Sequence, residues 1–316
     1  MNFLLNKELN KIVIIKLYHN LHKNANFKVY IEKEGSNRMK LGLALAGGGI
    51  KGAAHIGAIK ALEENGIKID AVAGTSIGSI VASLYAMGYS PEKMLEIFKF
   101  FAKEIMRADP KYFAGNIKSS RRLFGYGLLS GENTEIALKE CARQKDIKNI
   151  KDIKMPISIP AVDIVENKKY VFTNADFEED YYINDALIEK AVRASSSFPG
   201  VFAPCQYKNH KFVDGGVLDN VPAGEVKKLG VDKVLTIKFS SGLNYEPKNI
   251  YEVALKSVDI LVEGRASEAI KKSDLVLDLD LSEANMFNIR KIDYCYNVGY
   301  ITTITKIKEI KKMLGK

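Results

Sequence analysis

The amino-acid sequence predicts an α/β fold in which helices flank a mostly parallel central sheet, giving a three-layer α/β/α arrangement. Short apolar stretches typical of buried strands alternate along the chain with longer stretches that have helical spacing. Glycine-rich loops follow the first two apolar stretches, where parallel strands connect to helices. The chain has 316 residues, of which 47% are hydrophobic, so it is long enough to bury a substantial core.

The first four elements set the pattern. Residues 41–46 predict a buried strand, and residues 50–65 predict a helix that ends at Gly66. That helix can place four apolar residues on one face: Ala53, Ile56, Ile59 and Leu62. Residues 69–73 predict a second strand, and residues 77–87 a second helix that closes at Gly88.

The rest of the chain continues in the same way. Further strands are predicted over residues 157–164, 169–173, 210–213, 233–239 and 275–279. Helices are predicted over residues 184–194 and 250–270, at the C-terminus, and over most of residues 91–151, where LFGYGLLSGEN interrupts them. With no repeat and no linker rich in Gly, Pro or Ser, residues 39–316 are interpreted as one domain.

The first 38 residues form an extension that the organised pattern does not include. Lysines and Glu8 interrupt their apolar run and no small-residue cleavage site follows, so a signal peptide is not predicted. No stretch approaches about 18 uninterrupted apolar residues, as a membrane-spanning helix would need. Met39 is an alternative natural start, because codons for Lys33, Glu34 and Gly35 can resemble a ribosome-binding site.

Charge and cysteine content indicate which partners and which cellular compartment to expect. The formal net charge of +9 has two explanations: solvated lysine-rich helix faces, or peripheral contact with an anionic membrane surface. No RNA-binding signature accompanies the charge, so nucleic acid is not expected as a partner. The three cysteines have no metal-type spacing and indicate a reducing cytoplasm, with the inner face of the membrane as the site of any lipid contact.

The first glycine loop matches G-x-G-x-x-G through Gly47, Gly49 and Gly52. This spacing between a strand and a helix is typical of dinucleotide binding, which also requires an acidic residue at the end of the next strand. Asp70 lies at the wrong end of that strand. A phosphate-binding P-loop is excluded, because Lys51 is followed by glycine rather than by Ser or Thr.

The second loop favours acyl chemistry instead. G-x-S-x-G at a strand-to-helix turn is the nucleophile elbow, here formed by Gly74, Thr75, Ser76, Ile77 and Gly78. Neighbouring parallel strands would bring the two loops face to face, so backbone N–H groups of residues 47–49 could stabilise a tetrahedral oxyanion next to Ser76. The alternative is that GTSIG is only a turn of small residues.

A serine nucleophile needs a base, and the four histidines fit this role poorly. His19 and His22 lie in the N-terminal extension, His55 is expected to be packed or capping, and His210 is expected to be solvated in a polar turn. Asp214 is the better candidate, because it ends a strand-like segment and is followed by Gly215 and Gly216. The alternative is an Asp in an ordinary D-G turn.

Three motifs in fixed order, GGGIKG, GTSIG and DGG, together with AVRASSSFPGVFAP and FVDGGVLDNVP, resemble the patatin-like phospholipases from Lys40 to the C-terminus. The resemblance implies a patatin-like fold and a serine–aspartate dyad, with Ser76 as nucleophile, Asp214 as base and no catalytic histidine. It implies an oxyanion hole in the first loop, formed by Gly47, Gly48, Gly49, Ile50, Lys51 and Gly52. Lys51 stands where the family often has arginine, and Gly216 where alanine is also common.

The expected function is hydrolysis of fatty acyl esters of phospholipids or related lipids, as a carboxylic ester hydrolase of the phospholipase A type. No metal or other cofactor is needed for this chemistry, and DLDLSE is interpreted as strand alternation. An acyl groove or plain core is predicted for Leu95, Phe98, Phe100, Phe101, Tyr112 and Phe113. Two alternatives stay open: a soluble esterase or thioesterase for shorter acyl groups, and a non-catalytic lipid-binding regulator on the same fold. Dinucleotide binding, which the position of Asp70 disfavours, is kept as a third.

Overall fold

The computed structural model describes residues 38–107, 129–240, 246–248, 250–284 and 288–316. Of the predicted N-terminal extension, only Arg38 is among the described residues, so the domain boundary after residue 38 stays a prediction. The candidate groove residues Tyr112 and Phe113 lie outside the described residues, as does part of the LFGYGLLSGEN segment.

One sheet of nine strands forms the centre of the described residues. The strands are β1 (Leu41–Leu45), β2 (Ala71–Gly74), β3 (Ile157–Asp163), β4 (Lys168–Thr173), β5 (Tyr182–Ile183), β6 (Cys205–Tyr207), β7 (His210–Asp214), β8 (Lys233–Phe239) and β9 (Leu275–Leu279). The main order is β5-β4-β3-β2-β1-β8-β9, and its pairs are parallel except β3 with β4. The predicted mostly parallel α/β sheet is therefore confirmed.

Strand β3 brings two strand ends together. It pairs with β4 along one side, while its other side pairs first with β2, at Ile157 and Ser158, and then with β7, at residues 161–163. Because β2 runs parallel and β7 antiparallel to β3, the carboxyl ends of β2 and β7 point toward each other. The turn after β2 and the last residue of β7 therefore meet beside β3.

The helices in the described residues are α1 (Ala53–Glu64), α2 (Ile77–Ala86), α3 (Pro91–Arg107), α4 (Glu132–Arg143), α5 (Ile188–Ser195), α6 (Gly216–Asp219), α7 (Ala223–Lys228), α8 (Ile250–Ile270), α9 (Ile292–Thr305) and α10 (Ile307–Met313). Helices α1 and α9 pack very closely, since a Cβ on Gly57 would lie 2.0 Å from the Tyr296 carbonyl oxygen. The prediction that α5 begins at residue 184 is wrong, because the Asn184 side chain instead donates to Asp176.

The two faces of β1 show why the fold has three layers. Leu41, Leu43 and Leu45 are fully buried in the main core, which includes the apolar face of α1. Ala44 points to the opposite face and packs in a smaller cluster with Val226 of α7. Each fully buried leucine side chain stabilises the fold by about 1.5–3 kcal/mol relative to exposure. No helix in the described part of the chain is long and apolar enough to cross a bilayer.

Candidate active site

Ser76 lies in a sharp turn between β2 and α2. Its backbone has φ 54° and ψ −124°, a left-handed φ that a residue other than glycine adopts at a strain of about 1–3 kcal/mol. A Cβ on Gly74 would lie 2.2 Å from the Gly78 carbonyl oxygen, and one on Gly78 would lie 2.2 Å from the Leu45 carbonyl oxygen. Only glycine fits at these two positions, so the predicted elbow residues shape a turn that leaves the serine partly exposed.

Contacts from distant parts of the chain hold this turn. The Ser76 backbone N–H donates to Ser195 Oγ of α5 over 3.1 Å. The neighbouring Thr75 hydroxyl is buried and donates to the Asp219 carbonyl oxygen of α6 over 2.8 Å. Both bonds join the turn to the segment around β7, and they hold Ser76 rigidly in place.

Asp214, the last residue of β7, is 2% exposed. Its Oδ1 accepts a 2.8 Å hydrogen bond from the Gly216 N–H. Its Oδ2 has no hydrogen bond of ordinary geometry to any described residue, although the Ser76 side chain is close enough to influence the carboxyl group. Burial raises the pKa of Asp214 to about 7, and interactions with Ser76 and the Gly216 N–H oppose this rise only in part.

Three elements hold the glycine loop where it meets Ser76. The Gly47 N–H donates to Asn220, at 3.3 Å to its carbonyl oxygen and 3.2 Å to its Oδ1. His55 of α1 contacts the Ala46 carbonyl oxygen through Nε2 over 2.8 Å. A Cβ on Gly48 would lie 2.6 Å from the Phe239 ring, and one on Gly47 would lie 3.0 Å from Ser76 Cβ. The predicted face-to-face arrangement of the two loops is therefore present.

The members of the predicted oxyanion loop differ in what their backbones do. The Gly47 N–H is engaged by Asn220, whereas the N–H groups of Gly48 and Gly49 have no partner among the described residues. The remaining three predicted members complete a short 3-10 turn and are buried: Ile50, Lys51 and Gly52. The N–H of Ile77, the residue after Ser76, likewise has no partner in the described ranges.

A cavity of about 240 Å³ contains both Ser76 and Asp214. Its wall is mostly apolar and includes Ile77, Ile80, Phe98, Phe101, Phe198, Val201, Phe202, Val217, Phe239, Val262 and Ala266. Such a lining suits a hydrocarbon chain beside the two polar groups. Lys51 is also at the wall, 6% exposed.

The described apolar residues that were predicted for the groove divide into two groups. Phe98 and Phe101 line the cavity, but Phe100 is 57% exposed and Leu95 packs against the core. Sequence reasoning missed Phe239 and Asn220 as site residues. Asn220 could have been found as a site residue, because it is the one uncharged polar residue in FVDGGVLDNVP, the segment that carries the resemblance.

The two described histidines lie outside the cavity wall. His55 is fully buried, as predicted, and stacks on Phe239 with 4.7 Å between ring centroids. The expectation that His210 is solvated is wrong, because its Nδ1 lies 2.6 Å from Oδ2 of the buried Asp163. Glu166 joins this cluster at 3.4 Å, and its backbone N–H also donates to Asp163. The cluster secures the turn after β3.

A family model described as patatin-like phospholipase matches residues 43–227. The curated protein Lysophospholipase NTE1 of Meyerozyma guilliermondii is 31% identical over 209 residues, which are 66% of this chain but 13% of that protein. An uncharacterized NTE family protein of Mycobacterium bovis is 30% identical over 207 residues, 65% of this chain and 50% of its own length. The chain thus spans a small share of the curated fungal relatives and about half of the mycobacterial one.

Among solved structures, human GIVD cytosolic phospholipase A2 resembles the fold with a TM-score of 0.50. The alignment covers 87% of this chain and 60% of that structure, and sequence identity is 11%. At this identity the likeness concerns the fold alone, and it agrees with a three-layer fold in which helices flank the sheet on both faces.

Proposed function

The chain belongs to the patatin-like phospholipase family, and from this premise we propose that it is a lipid acyl hydrolase of the phospholipase A type. Its substrates are fatty acyl esters of phospholipids or lysophospholipids, the latter suggested by the names of its curated relatives. Ser76 is the nucleophile and Asp214 the general base. The observation that carries the proposal is the buried Asp214 carboxyl group, whose Oδ2 has no hydrogen bond of ordinary geometry to a described residue and which lines the same apolar cavity as Ser76.

The reaction proceeds in two halves. Ser76 Oγ attacks the ester carbonyl carbon while Asp214 takes the hydroxyl proton, and the carbonyl becomes a tetrahedral oxyanion. The intermediate collapses with cleavage of the C–O bond, and Asp214 returns the proton to the leaving alcohol. Water then gives its proton to Asp214 as it attacks the acyl-enzyme, and the fatty acid leaves while Ser76 regains its hydrogen.

Two features of the site support this chemistry. An aspartate with a pKa of about 7 is a far stronger base than an ordinary one near 3.9, and it is still largely ionised in mildly alkaline solution. The N–H groups of Gly48, Gly49 and Ile77, which have no partner among the described residues, are the donors we assign to the oxyanion. Activity is expected to fall as the pH drops below about 7, because Asp214 then holds a proton.

The deciding experiment compares hydrolysis of a fluorogenic long-chain phospholipid by the wild type with that by Ser76→Ala and Asp214→Asn. Both variants should fold and lose at least about 10³-fold in kcat, as expected when members of a catalytic pair are removed. Ser83→Ala and Asp146→Asn serve as matched controls, since Ser83 lies on α2 away from the cavity and Asp146 is exposed. Full activity of folded Asp214→Asn would place the base elsewhere.

Substrate class is tested in the same assay. A long acyl chain can fill the apolar cavity, so long-chain lysophospholipid and phospholipid should be cleaved with a higher kcat/KM than p-nitrophenyl butyrate. A preference for the short soluble ester would favour the esterase alternative. Binding of lipid without hydrolysis, and without Ser76 labelling by a fluorophosphonate, would favour the non-catalytic regulator.

We also propose peripheral contact with a lipid surface. Helices α3 and α8 line the cavity, and each also presents apolar side chains to solvent: Phe100, Ile260 and Leu261 are 57%, 62% and 65% exposed. Co-sedimentation of Ser76→Ala protein with phosphatidylglycerol vesicles should decrease when Leu261→Glu is added. Ile301→Glu is the matched control, because Ile301 is 58% exposed on α9 and does not line the cavity.

A further inference from the structure

Asn220 links the turn that carries Asp214 to the glycine loop. It directly follows α6, and both its carbonyl oxygen and its Oδ1 accept from the Gly47 N–H, at 3.3 and 3.2 Å. The two residues are 173 positions apart in the chain. Asn220 also lines the cavity that contains Ser76 and Asp214, so this contact lies within the site rather than behind it.

The Asn220 amide occupies a space that two glycines leave open. A Cβ on Gly47 would lie 2.4 Å from Asn220 Oδ1. A Cβ on Gly216 would lie 3.0 Å from the same oxygen and 3.0 Å from Asp214 Oδ1. The Asn220 oxygen therefore lies beside Gly47 of the glycine loop and beside Gly216 of the Asp214 turn, and neither glycine has a side chain in the way.

The contact with Asn220 fixes the Gly47 peptide, which precedes the N–H groups of Gly48 and Gly49. Because the Gly47 N–H is engaged, it is not available to an oxyanion, but the N–H groups of Gly48 and Gly49 are. Glycines have wide conformational freedom, so a loop of three needs external bonds to keep one arrangement. On the other side of the loop, His55 and Phe239 secure Ala46 and Gly48.

We propose that Asn220 is a positioning residue, which holds the glycine loop in its oxyanion-binding arrangement and registers it against the Asp214 turn. The proposal rests on the function proposed above. A neutral amide suits this place, because a carboxylate there would add a negative charge beside both Asp214 and the developing oxyanion. Asparagine accepts the same hydrogen bond without that charge.

The test uses Asn220→Ala and Asn220→Asp in the full chain. Asn220→Ala removes the side-chain acceptor and should lower kcat by about 30- to 100-fold with little change in KM, somewhat less than loss of an oxyanion donor. The rate of Ser76 labelling by a fluorophosphonate should fall in parallel, since its tetrahedral adduct uses the same donors. Asn220→Asp keeps the acceptor but should move the acidic limb of the pH profile upward by about one unit through charge repulsion.

Hydrogen exchange gives a readout that does not depend on activity. The peptide covering residues 46–51 should exchange faster in Asn220→Ala than in the wild type, and Asn220→Asp should keep most of the protection. Asn65→Ala is the matched control, since Asn65 caps α1 through the Ala61 carbonyl oxygen and does not line the cavity. Its effect should be confined to stability, with an unshifted pH profile.

The outcomes separate the two proposals. Unchanged kcat and unchanged loop exchange in Asn220→Ala would overturn the role of Asn220 while leaving the hydrolase intact. Equal losses in both variants with no shift of the pH profile would also overturn it. A wild type that cleaves no ester and takes no label, combined with lost loop protection in Asn220→Ala, would instead reject the hydrolase and retain the coupling. If Asn220→Ala does not fold, Asn220→Asp decides through its pH profile and loop protection.

Discussion

His55 of α1 and Asp214 of β7 share an uncommon environment. Both are buried titratable groups, 0% and 2% exposed, and each has one side-chain atom without a hydrogen bond of ordinary geometry in the described part of the chain: Nδ1 in His55 and Oδ2 in Asp214. Burial disfavours the charged form of each, so the pKa of His55 falls to about 4 and that of Asp214 rises to about 7.

The two groups differ in where the unpaired atom lies. Asp214 belongs to the wall of the cavity and is close to Ser76, whereas His55 lies behind the loop, between the Ala46 carbonyl oxygen and the Phe239 ring. A shifted pKa alone would assign both to the chemistry. Access to the cavity, rather than the shifted pKa, is therefore the reason to propose Asp214 as the general base and His55 as a structural support.

The largest expected effect is on the free energy of unfolding of Asp214→Asn. In the unfolded chain Asp214 ionises near 3.8, but in the folded protein near 7, so stability falls as the pH rises through this window. Above pH 7 the full penalty applies, up to about 4 kcal/mol by the free energy of a pKa difference. The substitution should leave the neighbouring turn intact, because the new amide side chain at position 214 still has an oxygen that can accept from the Gly216 N–H.

Urea unfolding of Asp214→Asn should therefore show higher stability than the wild type at pH 8, and the gain should disappear near pH 4. Asp146→Asn, at an exposed position, should show no such pH-dependent gain. If the unfolding free energies of the wild type and Asp214→Asn differ by the same amount from pH 4 to pH 8, folding does not raise the pKa of the Asp214 carboxyl group. The parallel with His55 would then be wrong.

A smaller effect with the opposite pH dependence is expected for His55. Its unfolded pKa of 6.5 exceeds its folded pKa of about 4, so the unfolded chain binds the proton first and stability is lost as the pH falls from 6.5 toward 4. At pH 5 the loss is about 2 kcal/mol from the same free-energy relation. His55→Gln keeps a donor for the Ala46 carbonyl oxygen but cannot titrate, so its unfolding free energy should change less between pH 7 and pH 5.

The same variant tests whether His55 takes part in catalysis. Folded His55→Gln should retain ester hydrolysis, because His55 does not line the cavity. Loss of kcat at pH 8 with an intact fold and unchanged loop exchange would make His55 a participant in catalysis, and the assignment of Asp214 as sole base would fail.

The smallest effect is expected for Gly216→Ala. The added Cβ would lie 3.0 Å from Asp214 Oδ1 and from Asn220 Oδ1, a tight contact that a shift of a few tenths of an ångström relieves, and the backbone N–H that donates to Asp214 remains. Unfolding free energy should change by about 1 kcal/mol or less, within the common range for single substitutions. Hydrolysis should stay within about threefold of the wild type, as read from kcat at pH 8.

Gly47→Ala is the contrasting variant. Its Cβ would lie 2.4 Å from Asn220 Oδ1, which cannot recede without losing the bond to the Gly47 N–H. A clear drop in kcat for Gly47→Ala, with a near-normal kcat for Gly216→Ala, would support the view that the glycine loop tolerates substitution less well than the Asp214 turn. Equal tolerance at both glycines would contradict it.

The local sequence pattern predicted both glycine loops, the second of which is the elbow, and most strands, because each depends on residues close in sequence. Ser76 could be placed on a strand-to-helix turn from GTSIG and its apolar flanks alone. The antiparallel approach of β7 to β3, the short strands β5 and β6, and the pairing of His210 with Asp163 could not, since each depends on partners far away in the chain. The sequence could indicate Asn220 as a site residue, but not its contact with Gly47, which lies 173 residues away.

The meeting of β2 and β7 beside β3 has a consequence for folding kinetics. The bonds from Ser76 to Ser195 and from Gly47 to Asn220 span 119 and 173 residues, so they close large loops and form late relative to local helices. After a jump out of urea, helical ellipticity should recover before Ser76 becomes reactive toward a fluorophosphonate. Reactivity of one hydroxyl would then report that the contacts between these distant segments have formed, and a chain that still lacks β7 is expected to be unreactive toward the fluorophosphonate.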